Sequence, residues 1–350
     1  MILRIFFILL LTSCVDPINF TPNQEESPSL IISGFITNED EPYTVTLTRS
    51  ASFTSVLQEG GDNKPEGDAI VKIVDQNGAE LRLLQTKPNS GIYTSTDTGW
   101  TGEIGDEYHI SIKTRNGEEY ASKPEVLNAS PTIDSVYYNY EVHQKLNQFY
   151  EVFKTEGLQF YTDIHFENDY SFYMYNWEGT YIMETPKGET PNCYIEQSGD
   201  LIFNILSSSD FSKNKVTAHS LNFDKLDVEY NIKFSYNLKQ YAIGPNSYAF
   251  FNAIKDQLNS TGSVFDPTPA KISGNVYNIN NPKEVVLGFF GAFGVSSKRI
   301  FISKTDLPIT FNAVVLDICF PQPPAFKIPE YCNDCIFFKG SSREKPEFWE

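Results

Sequence analysis

From Leu30 onward, short runs in which every second residue is apolar recur along the chain, separated by turn-forming residues. In "SLIISGFITNEDEPYTVTLTRSAS" an apolar run gives way to a polar turn at Asn38-Glu39-Asp40-Glu41-Pro42, after which Val45 and Leu47 alternate with threonines. A period of two puts successive side chains on opposite faces of a strand, so this stretch predicts two strands and a turn. "DAIVKIVDQNGAELRLLQT" predicts a hairpin, because Asn77-Gly78 supplies two residues that tolerate positive φ between apolar runs. Its "DQNG" lacks the third oxygen ligand and distant Glu of a calcium loop. "GIYTS" and "EYHISIKTRNGEEYASKP" add further strands around a second turn at Asn116-Gly117. About seven short strands over residues 30–127 predict an immunoglobulin-like or prealbumin-like β-sandwich.

Pro124 and Pro131 punctuate the next stretch, which places a boundary near 128–131. Beyond it the strands are longer and more aromatic. "YSFYMYNWEGTYIMETP" sets Tyr173, Tyr175 and Trp177 on one side, against Phe172, Met174 and Asn176 on the other. Such a strand is either covered on both faces or uses one face for binding, which makes Tyr173, Tyr175 and Trp177 the candidate binding surface. "GPNSYAFFNAIKDQLNS" breaks the alternation. Tyr248, Phe251, Ile254 and Leu258 stand three or four apart, which predicts one helix, capped by Ser247, with its apolar stripe facing the core. "KEVVLGFFGAF", "KRIFISK" and "FNAVVLDICF" return to strands. In "GFFGAFG" (288–294) no helix follows to hold a phosphate, so its glycines are read as relieving crowding among aromatics. The expected class is mainly β: a sandwich at 30–127, then a larger antiparallel β-rich domain at 131–350 with one short helix.

The N-terminus carries a different pattern. After Met1-Ile2-Leu3-Arg4, residues Ile5 to Leu11 are all apolar. The run is far short of the roughly 18–20 residues of a membrane-spanning helix and matches the core of a secretory signal. Leu11-Thr12-Ser13-Cys14 resembles the bacterial lipobox, in which the cysteine is lipidated and the chain cut just before it. Residues 1–13 are therefore expected to be a signal peptide, Cys14 the lipid anchor, and 14–29 a polar, proline-bearing tether. Cys193, Cys319, Cys332 and Cys335 remain, an even number in an oxidising compartment. With a single C-x-x-C, disulfides are favoured over a four-thiolate zinc site. Of three possible pairings, Cys332–Cys335 with Cys193–Cys319 is the one expected.

Charge narrows the partners. Forty-five acidic against 27 basic residues give a net charge of −18, which repels nucleic-acid phosphates and anionic lipid headgroups alike. Attachment to a membrane would then come from the lipid. His109, His143, His165 and His219 are scattered, and no nucleophile elbow, phosphate loop or metalloprotease helix is present. Carboxylate pairs are inevitable among 45 acids and carry no weight. Neither catalysis nor a cofactor or metal is expected.

Several segments, taken in order, are similar to the domain-of-unknown-function family 4249 of Bacteroidota lipoproteins. They are Cys14-Val15-Asp16-Pro17, "SLIISGFITNEDEPYTVTLTRSAS", "NGEEYASKPE", "PTIDSVYY", "NWEGTY", "SYAFFNAIKDQ", "FDPTPAKISGNVYN", "VLGFFGAF", "SSKRIFI" and the terminal "C-x-x-C…KPEFW". "FFGAFG" departs from the polar ending usual there. The resemblance implies a lipid-anchored outer-membrane protein, often encoded near TonB-dependent transporters, with no established activity and no catalytic motif to transfer. Asp134-Ser135-Val136 also fits the O-glycosylation pattern of that phylum, or is a plain linker. The function expected is a non-catalytic binding or accessory subunit beside such a transporter in nutrient uptake. The alternatives are a structural or adhesive surface lipoprotein and, behind it, a hydrolase without recognisable motifs.

Overall fold

The computed structural model describes residues 28–40, 42–50, 63–96, 99–146, 151–166, 171–185, 192–199, 204–212, 214–259, 272–308, 319 and 328–349. Cys14, the signal segment and most of the tether lie outside these, as does most of the expected strand at 311–320. The described chain is mainly β. In order come β1 (Leu30–Thr37), β2 (Thr44–Arg49), β3 (Lys64–Pro65), β4 (Ile70–Asp75), β5 (Glu80–Gln85), β6 (Ile92–Ser95), β7 (Glu107–Lys113), β8 (Glu119–Ser122) and β9 (Glu125–Val126). Then follow β10 (Ser135–Leu146), β11 (Val152–His165), β12 (Phe172–Met183), β13 (Cys193–Ser198), β14 (Asn204–Ser207), β15 (Lys215–Lys225) and β16 (Lys233–Ala242). Helix α1 (Pro245–Asn259), β17 (Val276–Asn278), β18 (Leu287–Ser303) and β19 (Ser341–Ser342) complete the order.

One sheet runs the length of the molecule in the order β17-β8-β7-β4-β5-β6-β2-β1-β18-β16-β12-β13-β19. Its first part folds around a core that holds Ile32 and Val45 together with Val71, Ile110 and Tyr120. Both expected Asn-Gly turns are present, with Gly78 and Gly117 at positive φ. The division into 30–127 and 131–350 needs correcting, because Val276, Val286, Phe290 and Ala292 belong to this first core. The reason is β18. Residues 287–293 pair parallel with β1, and residues 294–303 pair antiparallel with β16, so one long strand serves both halves.

In the second half, the three-stranded sheet β10-β11-β15 covers one face of β12 and β16. Phe160 stacks on Tyr236 with ring centroids 3.9 Å apart. Tyr173 and Tyr175 point into this core, each about 2% exposed, and Trp177 packs against it. Tyr173 and Tyr175 are therefore core side chains and not the exposed surface expected of them, whereas Trp177 is half-buried. A second sheet layer takes up the aromatic surplus, and burial holds the Tyr175 hydroxyl well above the ordinary tyrosine pKa.

α1 forms where its spacing predicts, but Ser247 does not cap it. Gly244 precedes Pro245, and the Tyr248 amide donates to the Gly244 carbonyl at 2.9 Å. Proline is preorganised for the first helical position, where its missing N–H costs nothing. Ser247 is buried one turn in, and Leu258, 67% exposed, has run past the sheet and joins no core. Cys193 is bonded to Cys335 and Cys319 to Cys332, which corrects the expected pairing. Cys332 and Cys335 sit in separate 3-10 turns, and β19, just beyond, pairs with β13, so Cys335 is delivered to the strand that carries Cys193.

Candidate functional site

The other face of β12, β16 and β18 is where chemistry collects. Even-numbered residues of β12 point this way, and they change character along the strand. Phe172 and Met174 are apolar, whereas Asn176, Glu178 and Thr180 are polar. Strand register extends each into a row. Met174 lies opposite Tyr241, which lies opposite Val295; Glu178 lies opposite Asn237, which lies opposite Arg299. One face therefore has an apolar end and a polar end.

α1 roofs the apolar end. Tyr248 packs on Phe172 with centroids 4.7 Å apart, and Phe250 on Phe289 at 5.1 Å. Between the helix and the β1–β18 pair is a cavity of about 280 Å³, lined chiefly by Phe35, Met174, Phe251, Ile254, Phe289 and Phe293. Glycines shape its floor. Gly288, at φ +89°, runs so close to β1 that an added Cβ would overlap the Ile32 carbonyl oxygen. An added Cβ on Gly291 would overlap the Phe293 ring, so this glycine relieves crowding among aromatics, whereas Gly288 and Gly294 allow close approach to the backbone at Ile32 and Asn128. The helix is held at its start by Glu125, whose carboxylate accepts from the Asn246 side chain at 3.2 Å. Burial raises the Glu125 pKa, against the lowering effect of the polar side chains beside it, Asn246 first.

A buried cation separates the two ends. Lys239 Nζ lies 2.9 Å from Glu39 Oε2 and 2.8 Å from Glu178 Oε1. Burial alone would lower its pKa, but the two carboxylates outweigh that and raise it. Beyond Lys239 is a polar cavity of about 330 Å³, lined by Glu178, Thr180, Glu196, Gln197, Ser198 and Arg299, with Phe348 at its edge. The C-terminal segment lies across this end. Trp349 wedges between Tyr194 and Phe301, with ring centroids 5.2 and 5.5 Å away, and Phe348 stacks 3.5 Å from the Arg299 guanidinium carbon.

A sequence profile of a domain of unknown function, DUF4249, matches residues 15–299. The chain belongs to the DUF4249 family. No curated protein matches it. The matched region ends within β18, so Phe348, Trp349 and three of the bridged cysteines of this DUF4249 chain lie beyond it.

The histidines are dispersed in space as in sequence. His143 stacks on Phe223 at 3.9 Å, and His219, half-buried beside Tyr175, pairs with Asn204 Oδ1 at 2.8 Å. Among the described residues, the cluster with metal-ligand chemistry is Cys193, Asp334 and Cys335, where both sulfurs are already in the disulfide. Ser135 opens β10, and its hydroxyl accepts from the Asp163 amide at 3.3 Å. Among the described residues no helix is long and apolar enough to cross a membrane. Sequence reasoning missed both cavities. The signal for them was present in the change from Phe172 and Met174 to Glu178 and Thr180 on one strand face, but the covering elements are distant in sequence.

Proposed function

We propose that this DUF4249 chain is a lipid-anchored envelope protein that works by binding, as an accessory subunit beside an outer-membrane transporter of the TonB-dependent kind. The observation that carries the binding reading is the apolar cavity under α1. Ligand sites are concave, mostly apolar and largely preformed. Filling an apolar cavity recovers about 24 cal/mol per Å³, so a ligand occupying half of this one gains about 3 kcal/mol before entropy. The lining of Met174, Phe251, Ile254, Phe289 and Phe293 offers no ionisable group, so the ligand group that enters is a compact hydrocarbon or aromatic moiety.

Anchorage rests on the lipobox-like Leu11-Thr12-Ser13-Cys14. Stable attachment needs about two acyl chains, which a bacterial lipoprotein cysteine carries. The test is organic extraction of the protein purified from native membranes, followed by mass spectrometry. A stoichiometric apolar compound, distinct from bulk phospholipid, is expected. Its absence, together with a Cys14→Ala protein that still sediments with membranes after a salt wash, would defeat the reading.

A further inference from the structure

We propose that the polar cavity beneath Phe348 is a second binding site, for a neutral saccharide of one or two rings. Arg299 is the starting point. Its Nη1 donates to Ser235 Oγ at 2.8 Å, and among the described residues it has no ion-pair partner. A guanidinium carries five N–H donors, so four remain for a ligand acceptor. Burial lowers its pKa and outweighs the raising effect of the Glu178 and Glu196 carboxylates.

The remaining lining supplies the complementary chemistry. Glu196 is exposed at the mouth and accepts only, Thr180 and Ser198 donate and accept, and Gln197 offers an amide. Glu178 is already engaged, by Lys239 and by the Asn237 amide at 3.3 Å. Arg299 on β18 and Glu196 on β13 stand three strands apart in the sheet, so a ligand that satisfies both must present acceptors and donors spread along its length, as the hydroxyls of a saccharide do. Phe348, 36% exposed and with one face stacked on Arg299, adds apolar ring surface at the rim.

Charge selects against ionised ligands. Arg299 and Lys239 stand against Glu39, Glu178 and Glu196, one carboxylate in excess, on a chain of net charge −18. An anion gains Arg299 but meets repulsion from Glu196 and from the whole surface, and a cationic group, which only donates, is drawn to Glu196 but leaves Arg299 without an acceptor. The cavity volume of about 330 Å³ is at the small end for ligand sites, which limits the ligand to one or two rings. This site is separate from the apolar cavity, with Lys239 between them.

The test is a calorimetric and saturation-transfer NMR titration of the full purified chain. The probes are four neutral disaccharides (maltose, cellobiose, lactose and sucrose), galacturonate and glutamate. At least one neutral disaccharide is expected to bind, with Glu196→Gln and Arg299→Gln each weakening it about tenfold or more, the loss of one charged hydrogen bond. Glu196 is exposed, so Glu196→Gln should fold normally and keeps the test decisive if Arg299→Gln does not. Binding of galacturonate or glutamate alone would overturn the proposal. So would no disaccharide binding tighter than a Kd of about 10 mM, or binding that survives both substitutions.

Discussion

Lys239 reaches Glu39, two hundred positions earlier in the chain, with Nζ 2.9 Å from the carboxylate. The ammonium is almost fully buried, at 7% exposure, and its second partner is Glu178. This contact ties the turn after β1 to the middle of β16, across the junction between the two cores. Lys239→Met should leave Glu178 and Glu39 with no cation and cost about 2–3 kcal/mol, below the range for fully buried pairs because both carboxylates are partly exposed. Glu39→Gln should cost less, since Lys239 keeps Glu178. Denaturant unfolding checks both, and equal effects would place the weight elsewhere.

The disulfide pairing is checked by mass spectrometry of a non-reduced digest. Cross-linked peptides containing Cys193 with Cys335, and Cys319 with Cys332, are expected. The first bridge spans 142 residues and the second 13. On loop-closure entropy the first stabilises by about 5 kcal/mol and the second by about 3 kcal/mol. The double variant Cys193→Ser/Cys335→Ser should therefore lose more stability than Cys319→Ser/Cys332→Ser. A peptide linking Cys332 to Cys335 would contradict the fold of this segment.

Gly288 and Gly78 share a positive φ, of 89° and 83°, but only Gly288 is hemmed in. Gly78→Ala should cost about 1 kcal/mol, the backbone term alone. Gly288→Ala adds an overlap with the Ile32 carbonyl, in the parallel β1–β18 pairing, and should cost more than about 3 kcal/mol. Comparable losses at the two sites would show that β18 does not approach β1 this closely.

Strand identity was legible because it is local. Alternation located strands such as β1, β2, β4, β5, β7, β12 and β18 but not β13, β14, β15 or β17; Asn77-Gly78 and Asn116-Gly117 located two hairpins, and the spacing from Tyr248 to Ile254 located α1. Pairing was not legible. Nothing within β1 announces that its partner is Leu287–Phe293, so the sequence boundary near 128–131 split a core that draws on both ends of the chain. The aromatic alternation of β12 carried two readings, and only the covering sheet β10-β11-β15 decides that Tyr173 and Tyr175 are core. Four cysteines with three possible pairings gave no local means of choosing.

His219 supplies a pH signature. Burial lowers its pKa, with Lys255 adding to the effect, so the folded state favours the neutral ring. The unfolded chain then binds a proton more readily, and the contribution of His219 to stability is complete above the ordinary histidine value of about 6.5. It is lost as pH falls from there through the lowered folded value, by at most about 1.4 kcal/mol per pH unit. His219→Gln should remove this component, so the difference between variant and wild type should shift with pH across that window. A difference independent of pH from 7 down to about 4 would mean that the ring is not held neutral.

The central claim is that the space under α1 receives an apolar ligand, and a neutral fluorescent probe reads it directly. N-phenyl-1-naphthylamine should bind the full chain at one site with enhanced emission. Ile254→Trp, which fills the cavity from the helix side, should abolish that binding while leaving the unfolding midpoint unchanged or raised. Probe binding of equal strength in wild type and Ile254→Trp, or none in a wild-type chain shown to be folded, would contradict the account.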